Sequence, residues 1–346
     1  MPAAALMLSA ILPGAAPPGG DGEAVQIIFD TDLGNDCDDV LALGMLHALA
    51  DRGECELLAV TTSKARPLSA PLADALNTFY GRPDVPVGAC SVGGVLDGPT
   101  AESDGKYLEL ADERADGGYV YPHDVSHDPA EVPDAVPVLR EVLAAAADGS
   151  VVIVQVGFST NLARLLDSPG DDVSELGGTE LVKAKVRRLV VMAGTFRPIR
   201  GDSGHLYTHR EYNVVQDVPA CQKLAAAWPT PVVWSGFEIG RAVPYPAESI
   251  DHDFAYAARH PLPESYQLYK PTPHERPTWD LTAAIEAVRP GRYFEQSPAG
   301  RVAVRDDGTT DFLPDPDGPH RYLILRPGAA ERLRGEFAAL CSQPPR

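Results

Sequence analysis

The sequence predicts an α/β fold, a mostly parallel Rossmann-like sheet with helices on both faces, in a single domain with a C-terminal antiparallel appendage. Short apolar runs alternate with amphipathic segments, as successive βαβ units require. A chain of 346 residues with 44% hydrophobic content can bury the core that such a sheet needs. The first apolar run ends in a dense acidic cluster, at the sheet edge where open α/β folds place their ligands.

The elements follow in chain order from these patterns. Residues 25–30 and 151–157 are apolar runs of the kind found in buried strands, and residues 40–50 are amphipathic, as in a surface helix. Predicted strands are residues 25–30, 56–62, 151–157, 188–193 and 231–235, and predicted helices are residues 38–50, 70–80, 136–147, 161–166 and 219–228.

Beyond residue 235 the pattern changes. The proline-rich residues 261–277 predict a long loop that could cover a site, and a helix is expected over residues 280–288. Residues 301–304 and 322–325, separated by an Asp-Asp-Gly turn, predict antiparallel strands. We therefore assign residues 25–300 to the α/β domain and residues 301–346 to a β-hairpin and helix that elaborate the same domain.

Residues 1–24 are expected to form a leader, either a signal peptide or a disordered segment. A short apolar stretch followed by small residues and prolines resembles a signal peptide, although a basic n-region is missing. A periplasmic or secreted location is therefore expected in preference to a cytoplasmic one. The stretch is too short for a membrane anchor.

Charge and cysteine content exclude several classes of function. A net charge of -20 would repel a nucleic acid, and no basic stripe offsets it. Five cysteines without a CxxC pair indicate neither a zinc site nor a disulfide framework.

The most informative segment is the acidic run that ends the first strand. Residues 30–39 carry five carboxylates, which oppose one another's ionisation unless a cation neutralises them. A solvated helix cap would explain Asp36 or Asp38, but it does not explain Asp30 and Asp32 at the strand end. The run therefore predicts a site for a hard divalent metal with oxygen ligands.

This run and several later segments resemble the nucleoside hydrolases, the inosine-uridine-preferring N-ribohydrolases, whose signature is Asp-x-Asp-Pro-Gly-x-Asp-Asp. The chain is similar to a divergent bacterial-type member, with Leu33 in place of the proline and two extra residues before the final acidic pair. The further matching segments, in the family's order, are residues 57–62, 81–87, 158–162, 189–194 and 211–213.

The two extra residues leave two possible registers. Alignment from the helix side gives the acidic pair as Asp38 and Asp39, with Asp36 as an additional acid. Counting from Gly34 would instead pair Asp36 with Cys37, and cysteine is a poor ligand for a hard cation. The first register is therefore preferred.

The resemblance implies the ligands and their roles. It implies Ca²⁺-dependent hydrolysis of the N-glycosidic bond of ribonucleosides or related N-ribosides, with Asp32 as the catalytic residue that activates water. Small-molecule nucleosides are the expected partners, and a homo-oligomer is compatible with the family. The implied calcium ligands are Asp32, Asp39, Asp280 and the carbonyl of Thr160; the implied substrate-binding residues are Asp30, Asp36, Asp38, Met192, Glu211, Asn213 and Trp279.

Two departures from the family pattern bear on catalysis. Where the family often has His-Asp, this chain has Trp279-Asp280, and an indole cannot protonate a leaving group. Trp279 could stack on a base or belong to the core, and nearby His274 could supply the proton or lie on the surface. Arg66 falls near a substrate-binding asparagine of the family, where it could contact an anionic ligand or balance the acids.

Two alternatives differ in kind from a nucleoside hydrolase. Residues 29–32 also fit the nucleophile strand of a haloacid-dehalogenase-type phosphatase, although Gly34 departs from that motif. A catalytically weakened, calcium-dependent ribosyl-binding protein is the other, since Trp279 replaces the leaving-group acid.

Overall fold

The computed structural model describes residues 23–92, 105–201 and 203–346, so the predicted leader lies almost wholly outside the described residues. The strands are β1 Val25–Thr31, β2 Cys55–Thr62, β3 Val87–Ala89, β4 Arg114–Ala115, β5 Gly118–Tyr119, β6 Val151–Gln155, β7 Val186–Met192, β8 Ile199–Arg200, β9 Leu206–Tyr207, β10 Val232–Ser235, β11 Phe294–Gln296, β12 Gly300–Val304, β13 Thr310–Pro314 and β14 His320–Leu325. The helices are α1 Asp38–Asp51, α2 Ser69–Phe79, α3 Ala135–Ala145, α4 Thr160–Asp167, α5 Gly178–Lys185, α6 Tyr212–Gln216, α7 Val218–Ala227, α8 Phe237–Arg241, α9 Ala247–His252, α10 Pro261–Tyr269, α11 Trp279–Val288 and α12 Ala329–Cys341, with a 3₁₀ helix at Lys106–Ala111.

The predicted α/β fold is confirmed. The main sheet has the order β13-β12-β14-β10-β7-β6-β1-β2-β3, and its pairings from β14 to β3 are parallel. All ten strands and helices predicted up to residue 235 are present, with small differences at their ends. The helix α1 is not the amphipathic surface helix that the sequence predicted, because its residues from Asp38 to Leu49 are all buried. The carboxyl ends of β1, β2, β6 and β7 meet at one edge, where the acidic run begins.

Helices cover both faces of the sheet, as predicted. Alternate residues of β1 point to opposite faces: Ile27 and Phe29 belong to one hydrophobic cluster and Ile28 to the other. The first cluster also takes residues from α1, α2, α10, α11 and α12, and the second from α3, α4, α5 and α7. Within the described part of the chain, no helix is both long and apolar enough to span a bilayer.

The predicted C-terminal antiparallel strands are present, and they are joined more closely to the main sheet than expected. β12 pairs antiparallel with β13 and with β14, whereas β14 itself pairs parallel with β10. The last helix, α12, packs against α1, and the Cys341 thiol approaches the Leu41 carbonyl at 3.5 Å. Residues 301–346 therefore complete the core of the α/β domain.

The proline-rich segment is not the long loop that the sequence predicted. Residues 261–269 form helix α10, because Pro261 occupies its first position and the His260 ring accepts the Leu262 N–H at 3.2 Å. Leu262 and Tyr266 are buried in the core. Proline content alone predicted a loop here, but proline is tolerated in the first helical turn.

Candidate active site

The first acid of the site, Asp30, lies inside the sheet. The Thr61 hydroxyl and the Asn161 amide donate hydrogen bonds to its Oδ1 atom at 2.6 and 2.8 Å. These bonds tie β1 to β2 and to the first turn of α4. Burial raises the pKa of Asp30 to about 7. The geometry gives Asp30 a role in joining these elements, while its predicted contact with substrate stays a prediction.

Two helix N-termini bring three further acids together. Asp38 and Asp39 open α1, Asp280 lies in the first turn of α11, and carboxylate oxygens of all three lie within 4.8 Å of one another. The Asp280 backbone N–H donates to Asp38 Oδ2 at 3.2 Å. Each side chain is buried, and burial together with repulsion from the neighbouring acids raises all three pKa values well above normal. The positive ends of both helices partly offset this repulsion.

A fourth acid, Asp32, lies beside this cluster. Burial raises the pKa of Asp32 to about 6, against the opposing effect of the Lys64 ammonium. Lys64 is 1% exposed, and its charge also limits the rise that burial causes in the pKa of Asp39. Thr31, between Asp30 and Asp32, donates its hydroxyl hydrogen to Asp39 Oδ1. The site thus contains an internal cation that the sequence did not identify.

Asp36 forms an ion pair with Arg276, and its charge also raises the pKa values of Asp32, Asp38 and Asp39. Its two carboxylate oxygens accept hydrogen bonds from the Arg276 Nε atom at 2.9 and 2.7 Å, and Arg276 Nη2 also contacts it. The Tyr107 hydroxyl fixes the same loop by accepting the Gly34 N–H at 2.6 Å and donating to the Asp36 carbonyl. The structure therefore groups Asp38 and Asp39 with Asp280, and Asp36 with Arg276.

Glu211 and Asn213 hold the ends of strands in place. Glu211 is the N-cap of α6, and its carboxylate accepts the backbone N–H groups of Gly194, Asn213 and Val214 at 2.8 to 3.1 Å. Burial raises the pKa of Glu211 to about 7. The Asn213 amide donates to the Val156 and Met192 carbonyls at 2.7 and 3.1 Å, which joins the ends of β6 and β7. Their predicted contacts with sugar hydroxyls would add to these structural bonds.

Thr160, the predicted carbonyl ligand, begins α4 and is buried. Its hydroxyl donates to Asp217, the N-cap of α7. This bond fixes the first turn of α4 against α7.

Trp279 takes part in an aromatic layer next to the acids. Its indole N–H donates to the Phe237 carbonyl at 2.9 Å, and its ring stacks on Phe237 with centroids 5.3 Å apart. His209 stacks on Phe237 at 3.8 Å, and the Arg276 guanidinium lies 5.1 Å from the Trp279 ring. A side chain at Gly240 would begin 2.4 Å from Trp279 Cα, so glycine is required there. The buried part of Trp279 therefore packs against Phe237 inside the protein.

His274 packs on α10, where its charged neighbours include Arg276 and Asp36. Its ring stacks on Tyr266 at 4.4 Å, and its Nδ1 atom faces the Pro271 carbonyl at 3.3 Å. The sequence analysis names Arg66 as a residue that could balance the acids or contact an anionic ligand. In the structure, the buried basic residue beside the acids is Lys64, two positions earlier. Lys64 lies two residues after the end of β2, and its position at the carboxyl end of a strand next to β1 was the available signal.

Comparison with known proteins fits this arrangement. The family model for the inosine-uridine preferring nucleoside hydrolases matches residues 27–318. The chain belongs to this family. It is a glycosidase of the class that acts on N-glycosyl compounds. This membership leaves the haloacid-dehalogenase-type alternative without support. Sequence comparison with curated proteins finds no significant match.

Several solved structures share the nucleoside hydrolase fold. The inosine-uridine preferring nucleoside hydrolase from Bacillus anthracis is 18% identical with a TM-score of 0.66, over 92% of this chain and 99% of that one. The purine-preferring ribonucleoside hydrolase from Gardnerella vaginalis is 19% identical with a TM-score of 0.66, over 92% and 98%. The type III effector XopQ, complexed with adenosine diphosphate ribose, is 17% identical with a TM-score of 0.62, over 94% of each chain.

Proposed function

We propose that the protein catalyses Ca²⁺-dependent hydrolysis of the N-glycosidic bond of ribonucleosides or related N-ribosides, releasing the base and ribose. The observation that carries this proposal is the buried group of Asp32, Asp38, Asp39 and Asp280 at the carboxyl edge of the sheet in a nucleoside hydrolase family member. Such a group is unfavourable without a counter-charge, which makes a cation part of the folded enzyme.

The donor set fits a hard divalent cation. All the available side-chain donors in the cluster are carboxylate oxygens, the atoms that Ca²⁺ prefers. We assign the cation to Asp32, Asp39, Asp280 and the Thr160 carbonyl. This assignment uses the register in which Asp38 and Asp39 form the acidic pair of the family signature. When bound, the cation would supply positive charge that neutralises the acids and favours ionisation of a nearby water. The grouping of Asp38 and Asp39 with Asp280, while Asp36 pairs with Arg276, supports this register.

Asp32 is the proposed general base. The Asp32 carboxylate would accept a proton from the water that attacks the sugar. The sugar gains positive charge as the N-glycosidic bond breaks, so the surrounding carboxylates stabilise the transition state. The same acids would therefore serve both binding of the cation and catalysis.

The remaining predicted residues would bind the nucleoside. Asp38, Glu211 and Asn213 are proposed to hold the sugar hydroxyls, and Met192 to contact the sugar at the end of β7. Asp30 and Asp36 are proposed to bind the substrate at the edges of this pocket. Trp279 would contact the base through the part of its ring that Phe237 leaves free. Fixed hydrogen bonds among these residues support a preorganised pocket.

A second candidate is a calcium-dependent ribosyl-binding protein with weakened catalysis. The indole N–H of Trp279 is already bonded to the Phe237 carbonyl, so this side chain offers no proton to a leaving base. The fold is similar to that of XopQ, whose solved complex contains adenosine diphosphate ribose. This similarity supports a ligand with a ribosyl group for the second candidate.

Two substrates distinguish the two candidates. Inosine needs protonation of its leaving base, whereas p-nitrophenyl riboside does not. We expect the protein to hydrolyse p-nitrophenyl riboside. Chelation should abolish this activity and added Ca²⁺ should restore it. The Asp32→Asn substitution should reduce the hydrolysis rate by about 10² to 10³. Binding of ribose with no turnover of either substrate would instead favour the binding protein.

A further inference from the structure

A half-buried histidine, His209, lies next to the aromatic layer that borders the acidic site. Its ring stacks on Phe237 with centroids 3.8 Å apart and an angle of 27° between the planes, and Phe237 in turn stacks on Trp279. Trp279 is followed directly by Asp280, one of the assigned cation ligands. Two ring contacts therefore connect His209 to the side of the site where Trp279 is proposed to contact the base.

His209 is also close to the residues proposed to hold the sugar. It lies two positions before Glu211, in the segment between β9 and α6. Gly194, after the end of β7, donates its N–H to the Glu211 carboxylate at 3.1 Å, and its carbonyl accepts the Phe237 N–H at 2.8 Å. Glu211 and the backbone of Phe237 are therefore bonded to the same residue. This network places the His209 ring between the proposed sugar and base positions.

The polar edge of the His209 ring is open to a ligand. Stacking on Phe237 uses a face of the ring, whereas both nitrogens lie at its edge. Within the part of the chain that the structure describes, neither nitrogen has a hydrogen-bond partner or is buried from solvent. Either nitrogen can therefore carry a proton to a bound molecule.

The reaction needs such a proton. The base leaves with the electron pair of the N-glycosidic bond, and protonation by a positioned acid makes this departure easier. The indole of Trp279 cannot supply the proton. Burial and the charge of Arg241, at the end of α8, lower the pKa of His209. Its protonated form is therefore a stronger acid than that of an ordinary histidine.

We propose that His209 is the general acid that protonates the departing base, an inference that rests on the proposed hydrolysis of N-ribosides. The bond between the anomeric carbon and the base nitrogen breaks, and the base keeps the electron pair and takes a proton from the His209 imidazolium. Water forms the new bond to the anomeric carbon and gives its proton to the Asp32 carboxylate. Solvent then returns a proton to His209 and removes one from Asp32, which leaves ribose, neutral base and the starting enzyme.

Two kinds of substrate separate this role from the rest of the reaction. The base of inosine or uridine needs a proton to leave, whereas p-nitrophenolate leaves without one. With Ca²⁺ present, His209→Gln should lower kcat/KM about 10²-fold or more for whichever nucleoside the wild type hydrolyses faster. Turnover of p-nitrophenyl riboside should stay unchanged, which also shows that the variant is folded. In His209→Ala, imidazole added to the solution should restore part of the nucleoside activity and leave p-nitrophenyl riboside turnover as it was.

His274→Gln is the matched control. The His274 ring stacks on Tyr266 and its Nε2 atom is buried, so this variant should hydrolyse both substrates as the wild type does. Equal effects of His209→Gln on both substrates would overturn the role of His209 and leave the proposed hydrolysis intact. The same holds for a wild-type protein that hydrolyses p-nitrophenyl riboside but neither nucleoside. A wild-type protein that hydrolyses none of the three would overturn the proposed hydrolysis, and the role of His209 with it.

Discussion

Arg276 and Asp36 form a bidentate ion pair between the loop after β1 and the segment before α11. The Arg276 Nε atom lies 2.7 Å from Asp36 Oδ2, and the two side chains are 20% and 13% exposed. The pair connects the loops that lead into α1 and α11, whose first turns carry the acids of the site. It therefore sets the separation of the two helix N-termini.

Arg276→Met should destabilise the protein by about 3 kcal/mol, because it leaves the Asp36 carboxylate buried and without its cation. Urea unfolding measures this change. Arg259→Met is the matched control: Arg259 pairs with Glu264 and Glu113, but it is 44% exposed, so its loss should cost at most about 1 kcal/mol. An equal effect of the two substitutions would show that the Asp36 pair has no special role.

Asp280→Asn should have opposite effects with and without metal. In chelator, it should raise the melting temperature, because one of several mutually repelling buried carboxylates is lost. With Ca²⁺, the metal-induced rise in melting temperature should shrink and hydrolysis should fall at least about 10²-fold. Asp307→Asn, on an exposed turn, is the control. A metal-induced rise as large in Asp280→Asn as in the wild type would contradict the assigned ligand set.

The fold could be predicted from the sequence largely because its signals are local. Each apolar run, in β1 and in β6, is a continuous stretch of the sequence, and the acids at the end of β1 lie close together in the chain. The Asp36–Arg276 pair joins residues 240 positions apart, and no local pattern indicates it. Lys64 was missed because its burial depends on neighbouring strands, and α10 was missed because proline was interpreted as a loop former.

The packing role of Trp279 can be separated from its contact with substrate. Trp279→Phe keeps a ring against Phe237 but removes the indole N–H, so the unfolding free energy should fall by about 1 kcal/mol. Trp279→Ala also removes the stacked ring and should cost about 3 kcal/mol. If the exposed edge stacks on the base, Trp279→Ala should also weaken inosine binding by about 1 to 3 kcal/mol and leave ribose affinity unchanged. A folded Trp279→Ala protein with wild-type inosine affinity would leave only the packing role.

Stability without metal should fall as the pH rises from about 4 to 7. Burial raises the pKa of Asp30 to about 7 from its usual 3.8, so the folded state binds more protons than the unfolded state within this window. At about 1.4 kcal/mol per pKa unit, this group alone accounts for up to about 4 kcal/mol of the loss.

Urea unfolding in chelator at several pH values measures the slope, which Asp30→Asn should flatten while keeping the Oδ1 acceptor. Glu56→Gln, which removes an exposed carboxylate of β2, is the control. A slope that Asp30→Asn leaves unchanged would assign the pH dependence to other groups.

Lys64→Met should increase the affinity for Ca²⁺. The charge of the buried Lys64 ammonium opposes the rise that burial causes in the pKa values of Asp32 and Asp39, so it must also repel a cation bound by the same carboxylates. At an effective dielectric constant of about 20, unit charges about 10 Å apart still interact by about 1.7 kcal/mol, and a divalent ion doubles this value. We therefore expect calorimetry to give a Ca²⁺ dissociation constant at least tenfold lower than that of the wild type.

The metal-free Lys64→Met variant should be less stable than the wild type, because the acids lose a counter-charge. Lys270→Met removes an exposed lysine after α10 and should leave the affinity unchanged. Weaker calcium binding in a folded Lys64→Met protein would mean that Lys64 positions the ligands instead of competing with the ion.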